Sequence, residues 1–160
     1  METIRNDNTD VAVLVPCYNE AATIARVVSD FRAALPGARI CVFDNNSTDD
    51  SVARARAAGA EVWFEGRQGK GSVVRRMFAE IEADVYLMVD GDATYDATSA
   101  PLMVETLVSQ SLDMVVAKRI SDDRAAYRSG HRTGNRLLTG AVAWIFGRQM
   151  TDILSGYRAM

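Results

Sequence analysis

Two carboxylates one glycine apart, Asp90-Gly91-Asp92, hang from the end of the apolar run Val85-Tyr86-Leu87-Met88-Val89. Acidic side chains placed this way can hold a hard divalent cation, which in turn neutralises phosphate oxygens. The glycine leaves room for a ligand to approach the backbone. The same three residues also make an ordinary turn, so the metal reading depends on their surroundings. Two more polar clusters end apolar runs in the same manner: Pro16-Cys17-Tyr18-Asn19-Glu20, and Asp44-Asn45-Asn46-Ser47-Thr48-Asp49. Asp44 can accept hydrogen bonds from a base N–H or from ribose hydroxyls, and Tyr18 offers a face for stacking. Gly69-Lys70-Gly71 is not a Walker A loop, because Phe64 stands at the first glycine position and Gly71 follows the lysine.

The elements that must position these residues are legible as periodicity. Val11 to Val15 reads as a strand, Glu20 to Leu35 as a helix with Ile24, Val27, Val28, Phe31 and Leu35 on one face, and Arg39 to Phe43 as a second strand. Asp50 to Ala58 reads as a helix closed by Gly59, with Ser47, Thr48 or Asp49 as candidate caps. Glu61 to Phe64 is a third strand, Gly69 to Ala83 a helix, Val85 to Val89 a fourth strand, Ser99 to Ser109 a helix and Asp113 to Ala117 a fifth strand. From Arg132 to Met150 the pattern is again helical and strongly apolar. Strands alternating with helices imply βαβ units, right-handed crossovers and a largely parallel α/β sheet. In such a sheet the three polar clusters gather at one edge, outside the carboxyl ends of the strands.

Bulk properties exclude several classes. The chain has 160 residues and a net charge of −3, which argues against a generic nucleic-acid binder. Yet Lys118, Arg119, Arg124, Arg128, His131, Arg132 and Arg136 crowd one segment against only Asp122 and Asp123, which suits an anionic ligand or membrane surface. Cys17 and Cys41 lack metal-ligand spacing and read as small buried residues of a reducing compartment. Met1 to Asp10 holds no apolar signal region, and no run reaches the ~18 apolar residues a membrane span needs. The expectation is a soluble, cytoplasmic protein.

Val13-Leu14-Val15-Pro16-Cys17-Tyr18-Asn19-Glu20, Asn46-Ser47-Thr48-Asp49, Gly69-Lys70-Gly71, Asp90-Gly91-Asp92 and Ser155-Gly156-Tyr157-Arg158, in this order, resemble family 2 glycosyltransferases. The chain is most similar to their dolichol-phosphate (polyprenyl-phosphate) mannosyl- and glucosyltransferase branch. The resemblance implies a GT-A fold, a Rossmann-like, mostly parallel sheet flanked by helices. It implies one catalytic domain over 1–160, with 1–10 as a flexible N-terminus and the C-terminal part of the domain missing. Pro16, Tyr18, Glu20, Asp44, Lys70, Asp90 and Gly91 would then bind the nucleotide-sugar, and Asp90 and Asp92 would hold Mg²⁺ or Mn²⁺. Two departures bear on this: Asn45 stands where the family commonly has a second acid, and Thr94 where it often has a better metal ligand.

The same resemblance implies inverting transfer from a UDP- or GDP-hexose to a polyprenyl phosphate, at the inner face of the cytoplasmic membrane. Arg119 would stabilise the departing diphosphate, Arg128 and Arg132 would take the acceptor phosphate, and Asp152 and Arg158 would complete the catalytic set. Two alternatives stand beside it: transfer to a sugar hydroxyl with Asp152 as base, and a truncated, non-catalytic nucleotide-binding fragment. An unfinished domain also exposes apolar surface and can self-associate as a homo-oligomer.

Overall fold

The computed structural model describes residues 9–117 and 155–160. Its elements in chain order are β1 (Val11–Cys17), α1 (Ile24–Ala34), β2 (Arg39–Asp44), α2 (Ser51–Ala57), β3 (Glu61–Phe64), α3 (Lys70–Glu80) and β4 (Val85–Met88). A 3₁₀ turn (Ala97–Ser99) runs into α4 (Ala100–Ser109), followed by β5 (Val115–Val116) and β6 (Arg158–Ala159). The predicted helix over 132–150 lies outside the described residues.

β1 and the interior of β2 (Ile40 to Phe43) are apolar without interruption because both faces of the sheet are covered. Val13, Val15 and Cys17 with Ile40 and Val42 face one side, where α1, α2 and α4 supply Val28, Phe31, Ala55 and Met103. Ala12, Leu14, Cys41 and Phe43 face the other, against Val73 and Met77 of α3. The strand order is β3-β2-β1-β4-β6-β5. β1 pairs in parallel with β2, Cys17 opposite Asp44, and with β4, Leu14 opposite Met88. The chain steps outward from β1 through β2 to β3 and then returns to β1's other side as β4. The order therefore reverses between β1 and β4, where α/β sheets open a ligand crevice.

Three details differ from the periodicity. α1 starts at Ile24, since Asn19 takes a positive φ of 56° and the Glu20 carbonyl accepts from both Thr23 N–H (3.0 Å) and Ile24 N–H (2.9 Å). Glu20 thus belongs to the strand-end turn. The predicted fifth strand shrinks to two residues, and its neighbour is the unforeseen β6, antiparallel to both β4 and β5. α3 stops at Glu80, after which the Tyr86 hydroxyl donates to the Ile81 carbonyl (2.9 Å) and accepts from Ala83 N–H (3.2 Å). Gly59 ends α2 as expected, with φ 93° and its N–H on the Arg56 carbonyl. Among the described residues no helix is long and apolar enough to cross a membrane.

Candidate functional site

The three strand-end clusters converge on one cavity of about 360 Å³. Its lining includes Pro16, Tyr18, Glu20, Lys70, Asp90, Gly91 and Asp92, all singled out in the sequence, together with Cys17, Asn45, Gln68, Gly69 and Val73. Asp44 does not line it. Its carboxylate is buried, Oδ2 accepts from Ser47 N–H (3.2 Å), and Oδ1 has no hydrogen-bond partner.

Hydrogen bonds between loops fix the rim. Asn19 N–H donates to Ser47 Oγ (2.9 Å), Thr48 N–H to Asn19 Oδ1 (2.8 Å), and Glu20 N–H to Ser51 Oγ (2.7 Å). The N-cap of α2 is Asp50, not Ser47, Thr48 or Asp49 as expected, and it makes no side-chain cap bond; Asp49 instead accepts the Ser51 N–H at 3.0 Å from just outside the helix. Asn45 explains its own departure from an acid. Its amide donates to the carbonyls of Glu65 (2.7 Å) and Arg67 (2.9 Å) while its Oδ1 accepts from Gly69 N–H (2.8 Å). A carboxylate could accept the last of these and donate neither of the others. The clasp holds the loop that delivers Lys70. No local signal in the sequence announces such a clasp, because its partners lie 20 or more residues away.

On the β4 side, Asp92 accepts from Thr94 N–H (3.0 Å) and Thr94 Oγ1 (2.7 Å), so Thr94 orients the carboxylate. Ala93, at φ 58°, turns the chain back to allow this. Gly91 packs against the Pro16 carbonyl oxygen, which a Cβ there would meet at 3.4 Å. Asp90 is gripped from two sides. The Lys70 ammonium pairs with Oδ1, and Gly156 packs so closely that a Cβ on it would sit 2.2 Å from Oδ2. Gly156 is itself fastened by its N–H on the Tyr95 hydroxyl (2.8 Å) and by buried Tyr157, edge-on to Phe31 at 5.7 Å. Arg158, counted in the sequence among the catalytic residues, donates its Nε to the Ser155 carbonyl at 2.8 Å.

The cavity is rich in negative charge. Burial raises the Glu20 carboxyl above the usual glutamate range. The Thr23 hydroxyl opposes this, and the charges of Asp92, Asp49 and Asp90 add to it. Burial likewise pushes the Cys17 thiol up to about 11. Asp90 and Asp92 form an all-oxygen donor set of the kind Mg²⁺ and Mn²⁺ prefer. Among the described residues no group of three acidic, histidine or cysteine ligands forms, so a cation here would keep positions for phosphate oxygens or water. Arg119, Arg128, Arg132 and Asp152 lie outside the described residues.

A family model described as Glycosyl transferase family 2 matches residues 12–157. The chain is 54% identical over 124 residues to Protein RfbJ of Shigella flexneri, covering 77% of this chain and 96% of that protein. It is 44% identical over 151 residues to glycosyltransferase AglJ of Haloferax volcanii, covering 93% of this chain and 49% of AglJ. A dolichyl-phosphate hexose transferase of the same organism is 27% identical over 150 residues, 94% of this chain and 65% of that protein. Among solved structures, glucosyl-3-phosphoglycerate synthase from Mycobacterium tuberculosis in complex with Mn²⁺, uridine-diphosphate and glucosyl-3-phosphoglycerate superposes with a TM-score of 0.77 at 28% identity. That match covers 96% of this chain and 57% of the synthase. The chain thus spans nearly all of RfbJ and about half of AglJ and of the synthase.

Proposed function

The chain belongs to glycosyl transferase family 2, and from that premise we propose that its cavity binds a UDP- or GDP-hexose with Mg²⁺ or Mn²⁺ for inverting transfer to a polyprenyl phosphate. The observation that carries this is the convergence of Pro16–Glu20, Lys70 and Asp90–Asp92 on one cavity at the switch point between β1 and β4. Tyr18, half exposed, adds a surface for the ring, while Asp44, buried and outside the cavity lining, does not reach a base in this conformation. Complexes of the synthase with Mn²⁺ and uridine-diphosphate support the donor class, and the name of the dolichyl-phosphate hexose transferase supports the acceptor.

In this reading Asp90 and Asp92 hold the cation, which supplies charge neutralisation to the departing diphosphate. Lys70 and Arg119 meet phosphate oxygens, Arg119 through its planar fork. Arg128 and Arg132 receive the acceptor phosphate at the inner face of the cytoplasmic membrane. That acceptor arrives ionised, so Asp152 serves to orient Arg158 or the acceptor. A second reading, transfer to a hydroxyl with Asp152 as general base, draws support from the synthase solved with phosphoglyceric acid.

The test is a thermal-shift panel of UDP, GDP, UMP and ATP with and without Mn²⁺. A native-state ligand at a hundredfold excess over Kd stabilises by ~2.7 kcal/mol, or roughly 5 to 10 °C for a domain of this size. UDP or GDP should give that shift only with Mn²⁺, and Asp92→Asn should abolish the metal-dependent part. Silence across the whole panel would overturn the reading.

A further inference from the structure

We propose that Lys70 is a built-in counterion that holds Asp90 until a nucleoside diphosphate arrives, so that cation and nucleotide bind cooperatively. The proposal rests on the nucleotide-sugar reading of the cavity. Lys70 opens α3, where a cation opposes the helix dipole, and no acidic residue shares that first turn. Helix stability therefore does not account for it. Its ammonium instead reaches across to Asp90 Oδ1, as the lone cation among the described cavity-lining residues, which also include Glu20 and Asp92.

The pair is built to come apart. The lysine side chain is 55% exposed and the aspartate 26%, a setting in which ion pairs are weak. The backbone beneath Lys70 is held by the Gly69 N–H on Asn45, while a Cβ on Gly69 or Gly71 would meet nothing within 4 Å. The four-carbon stem can therefore sweep without moving the loop. On the other side of Asp90, Gly156 fills the space against Oδ2, leaving Oδ1 as the oxygen that Lys70 takes. A divalent cation on Asp90 must accept a repelling ammonium beside it or displace it. A diphosphate resolves the conflict, because it offers Lys70 anionic oxygens of its own. By linkage, nucleotide then raises cation affinity and cation raises nucleotide affinity by the same factor.

The experiment is Mn²⁺ binding to the full 160-residue chain, read by the electron paramagnetic resonance of free Mn²⁺, with and without UDP or GDP. Lys70→Met keeps the stem and removes the charge, and an unchanged ligand-free melting temperature checks the fold. The wild type should bind Mn²⁺ weakly alone and more tightly with nucleotide. Lys70→Met should bind Mn²⁺ alone about fivefold more tightly, the upper range for an exposed pair, and lose most of the gain from nucleotide. If the variant binds Mn²⁺ alone no better than wild type while wild type binds both ligands, the counterion role falls and the site reading stands. If wild type binds neither Mn²⁺ nor nucleotide, the site reading falls and takes the counterion with it.

Discussion

Glu20 shows how one residue records the purpose of its surroundings. Its carboxyl is raised chiefly by burial, with the Thr23 hydroxyl bond opposing and the acidic charges of Asp92, Asp49 and Asp90 adding. The native state therefore holds this proton to higher pH than the unfolded chain does. Stability contributed by Glu20 is full below the ordinary glutamate value and falls as pH rises through the raised one. Glu20→Gln should then melt higher than wild type at pH 7 without metal, and show no gain once pH drops below the ordinary glutamate range. A melting series against pH reads this directly, and equal wild-type and variant curves at pH 7 would refute it. The cavity-lining candidates Pro16, Tyr18, Glu20 and the Asp90–Asp92 pair were legible because each follows the end of an apolar run, and Lys70 through the Gly69-Lys70-Gly71 motif. Asn45 as a clasp and Gly156 as a wall were not, since both roles exist only through partners distant in sequence.

At the scale of elements, β6 decides whether Asp90 is held in place. Only two residues long, it is stitched between β4 and β5, and Met160 and Tyr86 exchange N–H to carbonyl bonds of 2.9 and 2.8 Å. Periodicity can find long helices and buried strands, and among the described residues it placed the four α-helices and the first four strands. A two-residue strand has no period, so its existence depends on the edge it completes. The same logic explains the late start of α1: the apolar face is correct, while the turn at Glu20 is set by tertiary bonds to Ser51 and by the positive φ of Asn19. Gly156 enters just before β6, and there alanine would drive its Cβ into the Asp90 carboxylate. Since a carboxylate can rotate away, Gly156→Ala should fold. It should cost about 1 kcal/mol and weaken Mn²⁺ binding by roughly tenfold or more, the range seen when a ligand's support is lost. A titration with Mn²⁺ beside a melting curve separates the two effects, and unchanged Mn²⁺ affinity would show that Asp90 does not depend on this wall.

At the scale of the whole molecule, ligand at the strand ends should tighten both faces of the sheet together. Cys17 and Cys41 report on opposite faces, Cys17 among Val13, Val15 and Phe31 and Cys41 among Leu14, Phe43 and Met77. Burial pushes both thiols up to about 11, so neither reacts until the structure opens. β1 and β2 pair from Ala12–Arg39 to Cys17–Asp44, and exposing one cysteine means breaking the ladder that shields the other. Labelling by a small disulfide reagent should accordingly be slow at both sites. At a hundredfold excess of metal–nucleotide over Kd it should slow by about a hundredfold at Cys41, the factor set by mass action on a native-only ligand. Cys17 lines the cavity and would also be covered directly, whereas Cys41 does not, which makes Cys41 the cleaner reporter. Slowing confined to Cys17 would mean that the ligand only shields its own pocket and the two faces open separately. Equal slowing would mean that the sheet opens as one unit, and that a ligand bound at the strand ends stabilises residues on the far face of the sheet.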